Sequence, residues 1–129
     1  MEKAMQLTVT MENVPGQLGR LCRILSQASV NLRGISVSDA ADVSVIRLCV
    51  SDPSAAKTAL REAGVSFVAQ EVLLLEVDDK PGVLEQVAAR LGEAKVNVRY
   101  VYGSSDGGKR KTVLILKVDD PDRARQALA

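Results

Sequence analysis

Apolar and polar residues alternate along the first segment of the chain. Leu7, Val9 and Met11 alternate with polar residues, and a period of two predicts a strand with one buried face. A Pro-Gly pair follows, and apolar residues then recur at helical spacing over 18–28, which predicts an amphipathic helix. The later predicted elements are strands over 31–38 and 43–51, a helix from Asp52 to about Gly64, and a short strand over 65–69.

These elements follow each other in the order β-α-β-β-α-β. Asp52 is a suitable N-cap for the second helix, and Pro53 occupies its first position, where a missing N–H costs nothing. Gly64 is a typical C-terminal signal of a helix. The order is that of the split βαβ or ferredoxin-like arrangement, so the predicted fold class is α+β.

The whole pattern occurs twice. The residues match in order at a shift of 66, which becomes 68 after an insertion of two residues. The matches include Pro15-Gly16 with Pro81-Gly82, Val30-Asn31 with Val96-Asn97, and Asp52-Pro53 with Asp120-Pro121. Such a repeat predicts two tandem ferredoxin-like βαββαβ units, the first over 1–70 and the second over 71–129.

The second copy lacks a counterpart of the strand over 65–69, because the chain ends at Ala129 within or just after the last predicted helix. The fourth strand of this fold lies beside the first, so its loss would leave the edge of 71–77 unpaired. Either the sequence is truncated, or another subunit or a rearranged first copy pairs with 71–77.

The strands of the second copy are apolar on both faces. Val72, Leu74, Val113 and Ile115 lie opposite the residues predicted to face the core. A unit of about 60 residues buries only about 60% of its unfolded surface and is marginal alone. An apolar second face indicates that a partner surface covers it. We therefore expect burial between the copies or between chains, and a homodimer.

Composition excludes several classes of function. The formal net charge is +1, which gives no field that would recruit nucleic acid or an anionic membrane. Two cysteines without any histidine provide neither a disulfide framework nor a metal site. No segment has the pattern of a signal peptide or the length of a membrane span, so we expect a cytoplasmic protein.

The two Pro-Gly turns each lead from a strand into a helix. A plain structural role explains one such turn, because proline fixes φ and glycine permits close backbone approach. Two turns, each followed beyond its helix by Val-Asn, favour a shared function. The free N–H groups of a helix N-terminus bind carboxylates, and a nearby side-chain amide can both donate and accept hydrogen bonds.

The motifs Asn-x-Pro-Gly-x-Leu over 13–18 and Asp-x-Pro-Gly-x-Leu over 79–84 resemble those of the ACT domain. This small module senses amino acids in metabolic enzymes and regulators, and the resemblance is to stand-alone tandem ACT proteins of bacteria. It implies a regulatory protein without cofactor, which holds a free amino acid between paired units. The alternative is a ligand-free assembly element or a regulatory subunit of a metabolic enzyme.

The resemblance also implies which residues bind the ligand. The strand-to-helix loop of one unit would face the start of the second strand of its neighbour. The first site would use Asn13, Val14, Gly16, Gln17 and Leu18 with Asn97 and Val98. The reciprocal site would use Asp79, Gly82, Val83 and Leu84 with Asn31 and Leu32. Because Asp79 replaces an amide with a charge that repels a ligand carboxylate, we expect the Asn13 site to bind more tightly.

Other residues favour ordinary structural roles, and no catalytic residues are assigned. An acylphosphatase-like enzyme would need a glycine-rich phosphate loop with a following arginine, which is missing, and no His- or Cys-based catalytic set is present. The glycine-rich stretch over 103–108 is predicted to be a hairpin. Tyr100 and Tyr102 match Gly34 and Ser36, and either line an asymmetric pocket or, as we favour, pack at an interface. Cys22 is expected on the buried face of the first helix.

Overall fold

The structure is a computed structural model, and it describes residues 1–105 and 110–129. The predicted hairpin over 103–108 therefore lies partly outside the described residues. Within them the chain forms six strands and four helices. The elements are β1 (Glu2–Glu12), α1 (Gln17–Gln27), β2 (Leu32–Ala40), β3 (Val43–Val50), α2 (Pro53–Glu62), β4 (Phe67–Asp78), α3 (Val83–Glu93), β5 (Val98–Gly103), β6 (Lys111–Val118) and α4 (Pro121–Leu128).

The chain divides into two compact units. The first unit comprises Met5–Gln70, and the second comprises Met1–Ala4 together with Glu71–Ala129. Neighbouring strands follow the order β2-β3-β1-β4 in the first unit and β1-β4-β6-β5 in the second. The pairs β1–β3, β2–β3, β4–β6 and β5–β6 are antiparallel. The α+β class with antiparallel strands and four helices is confirmed.

The first unit packs its two helices on one face of its strands. Its core contains Leu7 and Val9 of β1, Leu21 and Leu25 of α1, and Leu60 of α2, all at most 2% exposed. The alternation in β1 describes its buried face correctly, whereas the helical spacing predicted for α1 holds for Leu21 and Leu25 but not for Leu18, which is 45% exposed. Cys22 was predicted to be buried but is exposed, because the inward side of α1 runs through Leu21 and Leu25, one turn apart.

The second unit has its own core and takes one strand from the N-terminus. Its core includes Leu73, Leu91 and Leu116. Residues Met1–Ala4 belong to this unit, and β1 is the neighbour of β4, so the beginning of β1 lies where the fourth strand was missing. Lys3 Nζ contacts Asp122 Oδ1 at 2.6 Å and Glu71 Oε1 at 3.6 Å. The strand beside 71–77 is therefore β1, which comes from the first copy and not from another subunit.

Strand β4 runs from Phe67 to Asp78 without interruption. The short strand over 65–69 and the strand over 71–77 were predicted as separate elements, and this prediction was wrong. No proline or glycine occurs between 67 and 78, so no turn residue breaks the extended backbone. Gln70 and Glu71 lie on either side of the division between the two units.

The apolar outer residues of the second copy are covered within the single chain. Val72, Leu74 and Ile115 are at most 4% exposed, and Val113 is half-buried. Their burial therefore requires no partner chain. The homodimer stays a prediction, and the burial of these residues does not support it.

Candidate functional site

The first Pro-Gly turn leaves the start of α1 without a side-chain cap. Gly16 has φ 91°, a left-handed conformation that suits glycine, and among the described residues no side chain accepts a hydrogen bond from the first turn of α1. By contrast, Asp52 Oδ1 accepts from the Ala55 N–H at 3.0 Å and caps α2. The first turn of α1 contains no acidic residue. The positive end of the α1 dipole is therefore suited to an anion.

Asn13 ties this turn to the β2–β3 hairpin. Its Nδ2 donates to Asp39 Oδ1 at 2.9 Å and to the Ala41 carbonyl at 3.2 Å, and its backbone N–H donates to the Asp42 carbonyl at 2.9 Å. A side-chain amide has two donor hydrogens and one acceptor oxygen. Because both Nδ2 hydrogens of Asn13 donate to the hairpin, only its Oδ1 would bind a ligand, as a hydrogen-bond acceptor.

Asn31 lies at the other end of β2. Its N–H donates to Ser51 Oγ at 3.0 Å, and its carbonyl accepts from the Ser51 N–H at 2.8 Å. Asn31 and Leu32 line a cleft of about 370 Å³ together with Cys22 and Ser26. Within the first unit, Asn13 and Asn31 are thus separated by the length of β2 and do not form one site.

The second Pro-Gly turn repeats the geometry with a different charge. Gly82 has φ 89°, and among the described residues no side chain caps α3. However, Glu85 lies in the first turn of α3. Asp79 Oδ2 accepts from Ser105 Oγ at 2.6 Å, and the Asp79 N–H donates to the Arg110 carbonyl at 3.1 Å. Two carboxylates near this helix start disfavour an anion there.

A cleft of about 340 Å³ opens beside the second turn, within the second unit. Asp79, Lys80, Ser104 and Ser105 are among its polar lining residues. Tyr102 and five aliphatic residues also line it: Val77, Val83, Leu84, Val101 and Leu114. The structure therefore places Asp79, Val83 and Leu84, three of the predicted ligand-binding residues, around one cavity.

Asn97 and Arg99 hold a carboxylate of their own unit at the start of β5. Arg99 Nε contacts Asp119 Oδ1 at 2.5 Å, and the Asn97 carbonyl accepts from the Asp119 N–H at 3.1 Å. The hydrogen bond from Arg99 lowers the pKa of Asp119, with a smaller contribution from the Asn97 side chain. The matching residue in the first unit is Ser51, so the two copies of this strand start differ in charge.

Some contributors were not predicted from the sequence. Ser105 was missed because it borders the second turn only in three dimensions, whereas Lys80 is the variable residue of the Asp-x-Pro-Gly motif itself and was not assigned a role. A β-bulge lies between Leu32 and Gly34, and another between Val98 and Tyr100, which shifts the alternation on these strands. Tyr100 and Tyr102 stack on each other with ring centroids 6.5 Å apart.

The fold and the paired turns define a tandem α+β module in which each Pro-Gly turn opens a helix. A family model described as an ACT domain pair matches residues 2–129. The chain therefore belongs to the ACT domain pair family. No curated protein gives a significant match. Among the described residues no helix is long and apolar enough to cross a membrane.

Several solved structures share this fold. A crystal structure of a Bacteroides thetaiotaomicron protein is 25% identical, with a TM-score of 0.91 over 98% of this chain and 86% of that chain. The ligand-free regulatory subunit of aspartate kinase from Thermus thermophilus is 13% identical, with a TM-score of 0.69 over 99% and 91%. Aspartokinase III of E. coli, in complex with aspartate and ADP, is 19% identical, with a TM-score of 0.63 over 98% and 31%.

Proposed function

We propose that this protein is a non-catalytic regulatory module that binds a free amino acid at its Pro-Gly turns. Membership of the ACT domain pair family supports the class. One structural contrast supports the position of the binding site. The helices that follow Pro-Gly, α1 and α3, start without a side-chain cap in the described part of the chain, whereas Asp52 and Asp120 cap α2 and α4. A carboxylate from a ligand would satisfy the N–H groups that a cap otherwise satisfies.

The first turn is the tighter site in this proposal. The Gln17 N–H, which donates to the Val14 carbonyl only at 3.5 Å, and the Leu18 N–H bind the ligand carboxylate, because no acidic side chain in the first turn opposes it. Asn13 Oδ1 accepts from the ligand ammonium. Asn97 and Val98 of a neighbouring ACT unit complete the site. The reciprocal arrangement places Gly82, Val83 and Leu84 opposite Asn31 and Leu32.

A thermal-shift screen with the standard amino acids tests the proposal. A ligand at a hundred times its Kd stabilises the folded state by about 2.7 kcal/mol, which a melting curve detects easily. Hydrogen bonds to charged groups contribute about 1.5–3 kcal/mol, so Asn13→Ala is expected to weaken the tighter site by roughly tenfold or more. Asp79→Ala is expected to affect that site less.

Asp39→Ala is the matched control for Asn13→Ala. It removes one of the two contacts that the Asn13 side chain makes to the hairpin, the one to Asp39 at 2.9 Å, and leaves Asn13 Oδ1 in place. If both variants lose affinity equally, Asn13 positions the hairpin and does not contact the ligand. If neither loses affinity for an amino acid that binds the wild type, the site has been placed wrongly.

A second candidate function is assembly, with a metabolic enzyme or as a homodimer. Ile35 and Val37 of β2 are 40% and 50% exposed, and β2 is an edge strand of the first unit. An apolar edge strand favours pairing with another chain. Light scattering at roughly tens of micromolar protein tests the homodimer, which is expected in the absence of ligand. A monomer at that concentration would count against it.

A further inference from the structure

Asn97 and Arg99 both bind the carboxylate of Asp119 at the start of β5. Arg99 Nε contacts Asp119 Oδ1 at 2.5 Å, the Asp119 N–H donates to the Asn97 carbonyl at 3.1 Å, and the Asn97 side chain hydrogen-bonds to the Asp119 carboxylate. We infer that Asp119 is a positioning residue, which fixes the Asn97 amide so that its oxygen is presented to a ligand ammonium. The inference rests on the proposed function, in which Asn97 completes the first site, and names the ligand group that Asn97 binds.

The chemistry of the two groups determines the direction of this hydrogen bond. The bond from Arg99 lowers the pKa of Asp119, so the carboxyl group is ionised at neutral pH and can only accept. The donor is therefore Asn97 Nδ2. Because Nδ2 and Oδ1 diverge from the same planar carbon, Oδ1 of Asn97 is directed away from Asp119. The hydrogen-bond partner thus assigns the orientation of the amide.

The first copy has a different residue at this position. Ser51 matches Asp119, and Asn31 matches Asn97. Ser51 Oγ accepts from the Asn31 backbone N–H at 3.0 Å, and the Ser51 N–H donates to the Asn31 carbonyl at 2.8 Å. A hydroxyl group can both donate and accept, so serine does not impose one orientation on a neighbouring amide. The shared backbone pairing also shows that serine is compatible with this fold.

The orientation of Asn97 determines which part of a ligand it can bind. In the proposed first site, Nδ2 of Asn13 donates to the hairpin, so both asparagines offer an oxygen. An ammonium group has three donors and can bond both oxygens, whereas an N-acetylated amino acid has a single uncharged N–H. The site therefore selects a free α-amino group. Fixing one side chain before binding removes an ordering cost that corresponds to about three- to tenfold in Kd.

A double-mutant cycle tests whether Asp119 acts through Asn97. The full chain is titrated calorimetrically with each standard amino acid that raises its melting temperature, and the tighter binding event is compared. Asp119→Ser, which introduces the serine of the first copy, is expected to weaken that event by about three- to tenfold, and Asn97→Ala at least as much. The double variant is expected to bind no more weakly than Asn97→Ala alone, because the two residues act as one unit.

Two further variants separate orientation from charge. Asp119→Asn keeps an acceptor oxygen for Asn97 Nδ2 and is expected to lose less affinity than Asp119→Ser. Glu93→Ser is the matched control, since it removes a carboxylate from the exposed end of α3 in the same unit, and it is expected to bind as the wild type does. In the ligand-free chain, the NMR peaks of the Asn97 side-chain amide are expected to move in Asp119→Ser. The N-acetyl derivatives of the same amino acids are expected to bind roughly tenfold or more weakly.

The outcomes separate this inference from the proposed function. If an amino acid binds and Asp119→Ser leaves its affinity unchanged, the inference is refuted while amino-acid binding stands. Additive losses in the double variant, or equal losses in Asp119→Asn and Asp119→Ser, would show that Asp119 acts by its charge and not through Asn97. If Asn97→Ala has no effect, Asn97 does not contact the ligand and the inference is wrong. If no standard amino acid binds, the proposed function fails together with it.

Discussion

Gly103→Ala is expected to destabilise the second unit, although it adds only one methyl group. Gly103 is the last residue of β5 and pairs with Leu114 of β6. A Cβ at this position would lie 2.8 Å from the Val113 carbonyl oxygen and 2.9 Å from Leu114 Cδ2. The Leu114 side chain can rotate away. The carbonyl belongs to the β6 backbone, so relieving that contact requires the strand itself to shift.

The size of the effect follows from two opposing contributions. Overpacking costs about 1–3 kcal/mol, whereas replacing glycine by alanine reduces the entropy of the unfolded chain and contributes about 0.4–1 kcal/mol in the opposite direction. We expect a net loss of about 1–2 kcal/mol in the free energy of unfolding. Urea denaturation followed by circular dichroism measures it as a lower midpoint with an unchanged m-value.

Gly92→Ala is the matched control in the same unit. Gly92 lies within α3, and a Cβ there would meet no atom within 4 Å among the described residues. Alanine is the better helix former by about 1 kcal/mol, so this variant is expected to raise the urea midpoint. If Gly103→Ala is as stable as the wild type while Gly92→Ala behaves as expected, the close approach of β6 to Gly103 does not constrain the fold.

Three further predictions concern stability. Thr8 Oγ1 accepts from Gln6 Nε2 and donates to Gln70 Oε1, both at 3.0 Å. Thr8→Val removes both hydrogen bonds and is expected to lower the free energy of unfolding by about 1–3 kcal/mol. An unchanged midpoint in urea denaturation would contradict this. Asp120→Ala removes the cap of α4 and is expected to cost about 1 kcal/mol, which a lower melting temperature would report. Lys3 lowers the pKa of Asp122, so the stabilisation by this pair is present at neutral pH and lost as pH falls through the lowered pKa. Lys3→Met is expected to reduce this loss of stability at acidic pH and to speed hydrogen exchange in 71–78. Unchanged exchange would show that the ion pair does not stabilise this strand.

Local patterns predicted the elements well because each copy carries its own signals. Asp52 with Pro53 marks the start of α2, and the alternation of Leu7 with its neighbours marks β1. Each of these signals acts through bonds or contacts within a few residues. The repeat then allowed the weaker signals of one copy to be read from the other.

Long-range pairings were not predictable in the same way. The N-terminal strand residues Glu2–Ala4 carry no apolar alternation, so nothing in them indicates that they belong with the second unit. Both the donor and the acceptor of the Asn13 amide were expected to be available to the ligand. In the structure its Nδ2 donates to Asp39, 26 residues further along the chain. Such a partner is selected by the folded backbone and leaves no local pattern in the sequence.

Amide chemical-shift mapping by NMR, during titration with each amino acid that the thermal screen selects, tests the central claim most directly. The claim is that the two Pro-Gly turns bind amino acids. Saturable shifts are expected at Gln17 and Leu18 and, at higher concentration, at Asp79 and Leu84. The amide of Val68 in β4, which is 60% exposed and belongs to neither turn, is expected to stay unchanged. Saturable shifts that avoid both turns would contradict the claim, and so would a titration without shifts for every amino acid that the thermal screen selects.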